Sequence, residues 1–159
     1  LLENPIALDK ICSTMGDAFS KDKVDLVVGA AIGGILLAGG IGKYLDSKHI
    51  FSERVNGKMK FRRGFNIEEG SNVLIVEDIV TTGGSIADLI DLSEAHYGAN
   101  IVGICSLVNR SLNLTNSFMG YEHKSLLELP IESWDESEMP KWLKEIPITS
   151  PGRSGKDKK

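Results

Sequence analysis

Apolar residues alternate along the chain between short runs and longer segments with helical spacing. The short runs are rich in β-branched residues, which is typical of buried strands. They are residues 24–29, 49–52, 73–76 and 101–108, with an edge strand at 125–129. The segments with helical spacing are residues 5–20, 35–44 and 86–97. Strands that alternate with helices predict an α/β fold, in which a parallel sheet is flanked by helices on both faces.

Three chemically distinctive segments directly follow predicted strands. They are residues 29–34, 77–85 and 109–110. In open parallel sheets, ligands bind outside the carboxyl ends of the strands. The pattern therefore predicts one ligand site to which all three segments contribute.

Residues 53–70 are charged and interrupted by glycine, which predicts a loop that can end in a hairpin strand. Its first part holds five basic residues against one acid, Glu53. The basic residues are Arg54, Lys58, Lys60, Arg62 and Arg63. A charge run of this kind is usually a solvated surface. A local basic loop is also what an anionic substrate requires of an acidic protein.

Composition narrows the possible functions. The chain has 159 residues and a net charge of −4, so it has no overall basic field for nucleic acid. No apolar run approaches the roughly 20 residues that cross a bilayer. The two cysteines, Cys12 and Cys105, lie in apolar segments and are expected to be buried thiols, which favours a reducing cytoplasm.

The segment from Glu77 to Ser85 carries the most chemistry. A strand leads into two adjacent carboxylates, and a Thr-Thr-Gly-Gly-Ser turn then opens a helix. Backbone N–H groups at a helix start bind phosphate, and two carboxylates beside them suit sugar hydroxyls or a hydrated Mg²⁺. The alternative is an ordinary helix cap with two exposed acids. No Gly-Lys-Ser/Thr follows, so the segment is not a Walker motif.

The run from Val73 to Ser85 resembles the signature of type I phosphoribosyltransferases that binds phosphoribosyl pyrophosphate (PRPP). The resemblance implies a Rossmann-like fold in which Glu77 and Asp78 hold the ribose hydroxyls. It also implies that the following turn contributes to PRPP binding and takes up the 5′-phosphate. That turn consists of Ile79, Val80, Thr81, Thr82, Gly83, Gly84 and Ser85.

The glycine-rich turn after the first strand has two interpretations. Read alone, it is either an anion-binding loop or a tight connection from strand to helix. In the resembled family it is the pyrophosphate loop. The matching residues are Ala30, Ala31, Ile32, Gly33 and Gly34. Some family members carry a lysine where this chain has Gly33, so backbone donors are expected to supply more of the binding.

The basic segment resembles the mobile loop of orotate phosphoribosyltransferases, which has the pattern Arg-x-x-x-Lys-x-His. Arg54 and Lys58 match that spacing, and Lys60 stands where histidine is common. The resemblance implies that these three residues bind PRPP. It also implies a homodimer in which the loop 53–63 reaches the neighbouring active site. Lys58 would stabilise the departing pyrophosphate, which makes it a catalytic residue together with Glu77 and Asp78.

Arg110 follows the fourth predicted strand and, read alone, is more often a surface arginine. In the resembled orotate enzymes, an arginine at this place contacts the orotate carboxylate, and the first threonine of the phosphate turn, here Thr81, touches the base. A purine has no carboxylate for Arg110 to bind.

The implied reaction joins orotate to PRPP with Mg²⁺, for which no direct protein ligand is assigned. A phosphoribosyltransferase for another base and a non-catalytic PRPP-sensing regulator are the alternatives.

The resemblance extends over nearly the whole chain. It predicts a phosphoribosyltransferase domain at 1–150 without the N-terminal hood portion, and a disordered tail at 151–159.

The histidines, His49, His96 and His123, are scattered without a serine or cysteine partner pattern. No nucleophilic triad is therefore predicted.

Overall fold

The computed structural model describes residues 1–112, 116–135 and 137–147, which form four helices and seven strands. The helices are α1 (Pro5–Asp17), α2 (Gly33–Leu45), α3 (Gly84–Tyr97) and α4 (Lys141–Lys144). The strands are β1 (Leu26–Ala30), β2 (Lys48–Val55), β3 (Lys58–Phe61), β4 (Asn72–Val80), β5 (Asn100–Asn109), β6 (Ser117–Phe118) and β7 (Tyr121–Glu128). The tail predicted at 151–159 lies outside the described residues.

The strands form one sheet in the order β3-β2-β1-β4-β5-β7-β6. The five central strands, β2, β1, β4, β5 and β7, are mutually parallel. At each edge a short strand pairs antiparallel with its neighbour. The prediction of an α/β fold with a parallel sheet is confirmed, and the antiparallel edges are an addition to it.

Side chains on the two faces of the sheet form two apolar clusters. On one face Val28, Ile75 and Ile104 pack with Ile86 and Leu89 of α3. On the other face the residues of the sheet pack against α1 and α2. The buried residues of this second cluster are Cys12, Met15, Phe19, Val27, Leu37, Ala38, Ile41, Leu74, Val76 and Cys105. Each fully buried large aliphatic side chain contributes about 1.5–3 kcal/mol, so the two clusters hold the helices against the sheet.

Local sequence signals explain where the helices begin and end. The Asn4 side chain accepts hydrogen bonds from the N–H groups of Ile6 and Ala7, both at 3.0 Å, and Pro5 occupies the first turn. Gly98 ends α3 in the left-handed conformation, with φ of 63°.

Residues 53–61 belong to a β-hairpin, so the hairpin strand lies at the start of the predicted loop 53–70 and not at its end. β2 continues to Val55, and β3 begins at Lys58. The two residues between them, Asn56 and Gly57, both have positive φ, of 50° and 80°. Asn-Gly is the sequence that two-residue hairpin turns of this kind prefer, because both positions require left-handed backbone.

Two further expectations from composition bear on the core and on membranes. Cys12 and Cys105 are free and buried, as predicted, and burial raises their pKa values to about 11 and about 12. Such thiols stay protonated and unreactive. In the described ranges of the chain, no helix combines the length and apolarity that spanning a bilayer requires.

Candidate active site

The carboxylate pair lies within β4 rather than beyond it. The strand was predicted to end at Val76 but continues to Val80, so Glu77 and Asp78 project to opposite faces of the sheet near its carboxyl end. The Asp78 N–H donates to Glu77 Oε1 at 3.2 Å. The Ile79 N–H donates to Asp78 Oδ1 at 2.8 Å. The strand backbone thus holds both carboxyl groups.

Glu77 is buried, with 7% of its surface exposed. Burial first, and then the hydrogen bond and charge of Asp78, raise the pKa of its carboxyl to about 8. Near neutral pH the ligand-free protein therefore holds Glu77 largely in the neutral form. A neutral carboxyl can both donate and accept hydrogen bonds, which suits sugar hydroxyls.

The glycine-rich turn lies directly against Asp78. A Cβ added at Gly33 would lie 1.8 Å from Asp78 Oδ2, so only glycine fits there. A lysine at this position would have to displace Asp78. α2 begins at Gly33 without a side-chain cap, and the Ala31–Ile32 peptide bond is cis. Uncapped N–H groups at a helix start are available to an anion.

This turn and the carboxylates line one cavity of about 490 Å³. The lining residues are Ala30, Ala31, Ile32, Gly33, Met59, Glu77, Asp78, Ile79 and Ser85. Four of the five residues of the predicted pyrophosphate loop line this cavity, and the fifth, Gly34, lies behind its wall, buried against Gly29.

The phosphate turn lines a second cavity, of about 360 Å³. It contains the seven residues from Ile79 to Ser85, together with Glu77, Ile86, Asp88 and Arg54. Gly83 has φ of 76°, and a Cβ there would lie 1.8 Å from the Phe118 ring. Gly83 is therefore required both by its backbone conformation and by the aromatic ring packed on it.

Arg54 is fixed beside the phosphate turn of its own chain. Its guanidinium donates to Asp88 Oδ2 at 2.7 Å and to the Gly57 carbonyl at 2.6 Å. The first contact ties the hairpin to α3, and the second closes the hairpin turn. A cation held there can reach an anion bound by the turn without further ordering.

Lys58 and Lys60 do not lie beside the carboxylate pair within one chain. Both are exposed on β3 and line a separate cavity of about 570 Å³ with Leu92, His96 and Tyr97 of α3. Between them Met59 points the other way, into the cavity of the glycine-rich turn. In the described part of the chain neither lysine forms an ion pair, whereas Arg62 and Arg63 pair with Glu53.

Arg110 and Thr81 share a third cavity, of about 460 Å³. The Arg110 N–H donates to the Val80 carbonyl at 2.9 Å, which fixes the residue at the end of β5 beside the phosphate turn. Its guanidinium donates to Ser133 Oγ at 3.4 Å. No acid pairs with Arg110 within the described ranges. The half-buried guanidinium is thus available to a carboxylate ligand.

Comparisons with known proteins agree with this geometry. Residues 1–117 match the model of the phosphoribosyl transferase domain family. The chain is 39% identical to the orotate phosphoribosyltransferase of Caldicellulosiruptor bescii over 152 residues, which cover 96% of this chain and 78% of that protein. It is 38% identical to the orotate phosphoribosyltransferase of Thermotoga maritima over 155 residues, 98% of this chain and 81% of that protein.

The chain belongs to the orotate phosphoribosyltransferase family. The family predicted from the sequence motifs is therefore confirmed. A solved adenine phosphoribosyltransferase from Thermoanaerobacter pseudethanolicus superposes with a TM-score of 0.66 at 20% identity, over 80% of this chain and 83% of that chain. At this level of identity the likeness shows the type I phosphoribosyltransferase fold and nothing about the base.

Orotate phosphoribosyltransferases are expected to use Mg²⁺, and the carboxylate pair fits such a role in part. No group of three or more acidic, histidine or cysteine side chains able to hold a metal occurs among the described residues. Glu77 and Asp78 offer carboxylate oxygens at the edge of an open cavity. Because Mg²⁺ commonly takes only one or two carboxylates and completes its shell with water and phosphate oxygens, the pair can contribute to such a site.

In the cavity of Arg110 the structure adds residues that the sequence did not indicate. Besides Thr81 and Arg110, that cavity is lined by Phe118 and His123. The sequence shows no serine pattern around the histidines, yet the fold brings His123 Nε2 to 2.8 Å from Ser106 Oγ. The two residues are 17 positions apart on neighbouring strands, so no local spacing signals the contact.

Proposed function

We propose that the protein transfers the 5-phosphoribosyl group of PRPP to orotate, giving orotidine 5′-phosphate and pyrophosphate in pyrimidine biosynthesis. The domain that does so spans residues 1–150. The bond from ribose C1 to pyrophosphate breaks and its electron pair leaves with the pyrophosphate. A base nitrogen forms the new bond to C1 and gives up its proton. The transition state has oxocarbenium character, as in glycoside chemistry.

The three cavities adjoin one another, which supports a single extended substrate. Val80, Thr81 and Thr82 line both the cavity of Arg110 and that of the phosphate turn. Glu77, Ile79 and Ser85 line both the phosphate cavity and that of the glycine-rich turn. A base, a ribose 5-phosphate and a pyrophosphate therefore have neighbouring compartments in one cleft.

Each compartment has a proposed role that matches its chemistry. Glu77 and Asp78 position the ribose through its hydroxyls, and the phosphate turn holds the 5′-phosphate with hydroxyl and backbone donors. Arg54 adds charge beside that phosphate. The backbone of the glycine-rich turn holds the pyrophosphate. Holding both reactants in line is the main catalytic contribution, since no protein nucleophile is required.

The observation that carries the choice of orotate is the half-buried Arg110, without an acidic partner in the described ranges. A guanidinium left in a cavity wall without a counter-charge favours a ligand carboxylate in bidentate geometry. Thr81 lies in the same cavity and can contact the base. Orotate has the carboxylate that uracil and the purines lack.

Mg²⁺ is the proposed cofactor, with Glu77 and Asp78 as the residues that would hold it, directly or through water. When bound, it would neutralise negative charge on the pyrophosphate. The residues of the chain bind the remaining substrate oxygens and keep water from C1.

We place the enzyme in the cytoplasm, in line with its two free buried cysteines.

We also propose a homodimer in which Lys58 serves the active site of the neighbouring subunit. Lys58 and Lys60 lie on the edge strand β3, exposed and directed away from their own carboxylate pair. An ammonium group brought to the leaving pyrophosphate would stabilise its developing charge. Arg54, in contrast, serves the site of its own chain.

The experiment that tests the proposed function compares the wild type with Arg110→Gln. Orotate consumption is followed by ultraviolet absorbance with PRPP and Mg²⁺, and PRPP binding is measured by calorimetry. Loss of a charged hydrogen-bond donor from the cavity wall is expected to lower kcat/KM for orotate by roughly 100-fold. PRPP affinity should change less than about twofold, because Arg110 lies outside the phosphate compartment. Equal loss for PRPP and orotate would contradict this assignment.

A further inference from the structure

The base cavity contains a buried polar pair that the reaction described above does not use. His123 is 4% exposed and Ser106 is fully buried. His123 Nε2 lies 2.8 Å from Ser106 Oγ. His123 also lines the same cavity as Arg110 and Thr81. An imidazole thus forms part of the wall that faces the base.

Two strands fix the position of this imidazole. β7 runs parallel to β5, with His123 opposite Ile104, and Ser106 lies two residues further along β5. The His123 ring therefore reaches toward the carboxyl end of the sheet, where Arg110 follows β5. The backbone N–H of His123 donates to the Asn116 carbonyl at 2.9 Å, which fixes the start of β7. On β7 His123 is the one buried position.

Stability alone does not require a polar pair at this place. A hydrogen bond between neutral groups contributes about 1 kcal/mol net, and an apolar pair of the same shape can replace it nearly without cost. A serine hydroxyl both donates and accepts, so Ser106 can hold the ring in either tautomer. A polar ring held in a cavity wall suits a ligand with polar edges, and a pyrimidine ring has carbonyl oxygens and N–H groups there.

We propose that His123 is a specificity-determining residue that contacts the pyrimidine ring, and that Ser106 is the positioning residue that orients its imidazole. The inference rests on the proposed function and deepens it. Arg110 binds the carboxylate of the base, and His123 contacts the ring itself. The site thus takes a planar pyrimidine that bears both a carboxylate and polar ring edges.

The test measures KM for orotate, KM for PRPP and kcat in three variants. His123→Phe keeps the ring volume and removes its polarity, and it should raise KM for orotate about tenfold, the effect of one lost hydrogen bond of the stronger kind. His123→Gln should recover part of that loss. Ser106→Ala should raise KM for orotate a few-fold by freeing the ring. In all three, KM for PRPP should stay within about twofold.

Two control variants separate contact with the base from packing in the core. Ser93→Ala removes a hydroxyl that is also buried but lies on α3, away from the cavity. His49→Gln changes an exposed histidine at the start of β2. Both controls should leave KM for orotate unchanged. Thermal unfolding of every variant shows which of them are folded.

Each outcome decides one question. If the wild type consumes orotate and His123→Phe keeps the wild-type KM for orotate, the inference is overturned and the pair is only structural. If His123→Phe does not fold, the same conclusion follows when His123→Gln and Ser106→Ala both keep the wild-type KM for orotate. If the wild type binds PRPP but consumes no orotate, the proposed function fails, and the role of His123 fails with it. A selective rise in KM for orotate supports both.

Discussion

Glu77 lies on β4 with 7% of its surface exposed, next to a second carboxylate. Burial, and then Asp78, raise its pKa from the usual 4.5 to about 8. Glu77 is buried because β4, the strand that carries it, is covered on both faces of the sheet. A buried neutral carboxyl at this place can both donate hydrogen bonds to the hydroxyls of a sugar and accept them.

The raised pKa predicts how stability changes with pH. Between about pH 4.5 and 8 the folded protein keeps a proton on Glu77 that the unfolded chain has lost, so the contribution of Glu77 to stability falls as pH rises through that window. Each pKa unit corresponds to roughly 1.4 kcal/mol, which places the total effect at a few kcal/mol. Glu77→Gln should remove it and become increasingly stabilising, relative to the wild type, from pH 5 to pH 9.

The measurement is the thermal unfolding midpoint at several pH values, without PRPP and with a chelator present. The exposed Glu69→Gln is the control, since it makes the same chemical change outside the site. The account of Glu77 would be wrong if the difference between Glu77→Gln and the wild type did not vary with pH.

At the scale of elements, the site depends on how closely the turn before α2 approaches β4. A Cβ at Gly33 would lie 1.8 Å from Asp78 Oδ2 and 2.9 Å from Asp78 Cβ, so the whole Asp78 side chain would have to move. At Gly39, in the middle of α2, the nearest atom to an added Cβ is His49 Nε2 at 3.7 Å, an ordinary contact. The two glycines therefore give a matched pair within one helix.

Gly33→Ala is expected to lower kcat/KM for PRPP by roughly 10- to 100-fold, because misplacing a positioning group by about 1 Å has effects of that size. Gly39→Ala should keep activity and stabilise α2 by up to about 1 kcal/mol. Steady-state kinetics and urea unfolding of both variants check this. Full activity in Gly33→Ala would mean that Asp78 does not need its present position.

The elements show how far the sequence alone could predict the fold. Periodicity found the parallel strands, since a strand buried on both faces is a continuous apolar run, as at Val73 to Val76. It ended β4 too early, because polarity at Glu77 and Asp78 hides a strand that continues into the site. It also placed the hairpin strand at the end of the charged segment, because the charges on β2 and β3 outweighed the Asn56-Gly57 turn signal.

The same limit applies to the site. The phosphate turn and the acid pair are contiguous in sequence, so their motif could be read directly. The ion pair of Arg54 with Asp88 and the pairing of Ser106 with His123 join distant segments. Such contacts depend on strand order and register, which the pattern of one chain does not specify.

At the scale of the whole molecule, the proposed dimer explains why Lys58 faces away from its own site. Mixing two variants tests this, because each disables a different part of the same site. Lys58→Ala removes the lysine that a subunit contributes to the active site of its neighbour. Arg110→Gln disables the base compartment of the subunit that carries the substitution. If Lys58 acts across the interface, mixed dimers hold one complete site, and equal mixing should restore roughly a quarter of wild-type activity.

Activity is measured after the two chains are unfolded together and refolded, with each variant treated alone as the control. If Lys58 acts within its own chain, the mixture should stay as inactive as its components. Sedimentation of the wild type gives the oligomeric state in the same buffer, and a monomer would exclude a contribution from a neighbour.

The central claim is that this cleft joins orotate to PRPP, and the most direct measurement is the orotate absorbance of the wild-type protein mixed with PRPP and Mg²⁺. Uracil and adenine serve as alternative acceptors, and a chelator replaces Mg²⁺ in a parallel reaction. The account predicts that orotate is consumed, that the chelator stops the reaction, and that neither alternative base is used at a comparable rate. Turnover of uracil or adenine in preference to orotate, or binding of PRPP with no turnover of any base, would contradict it.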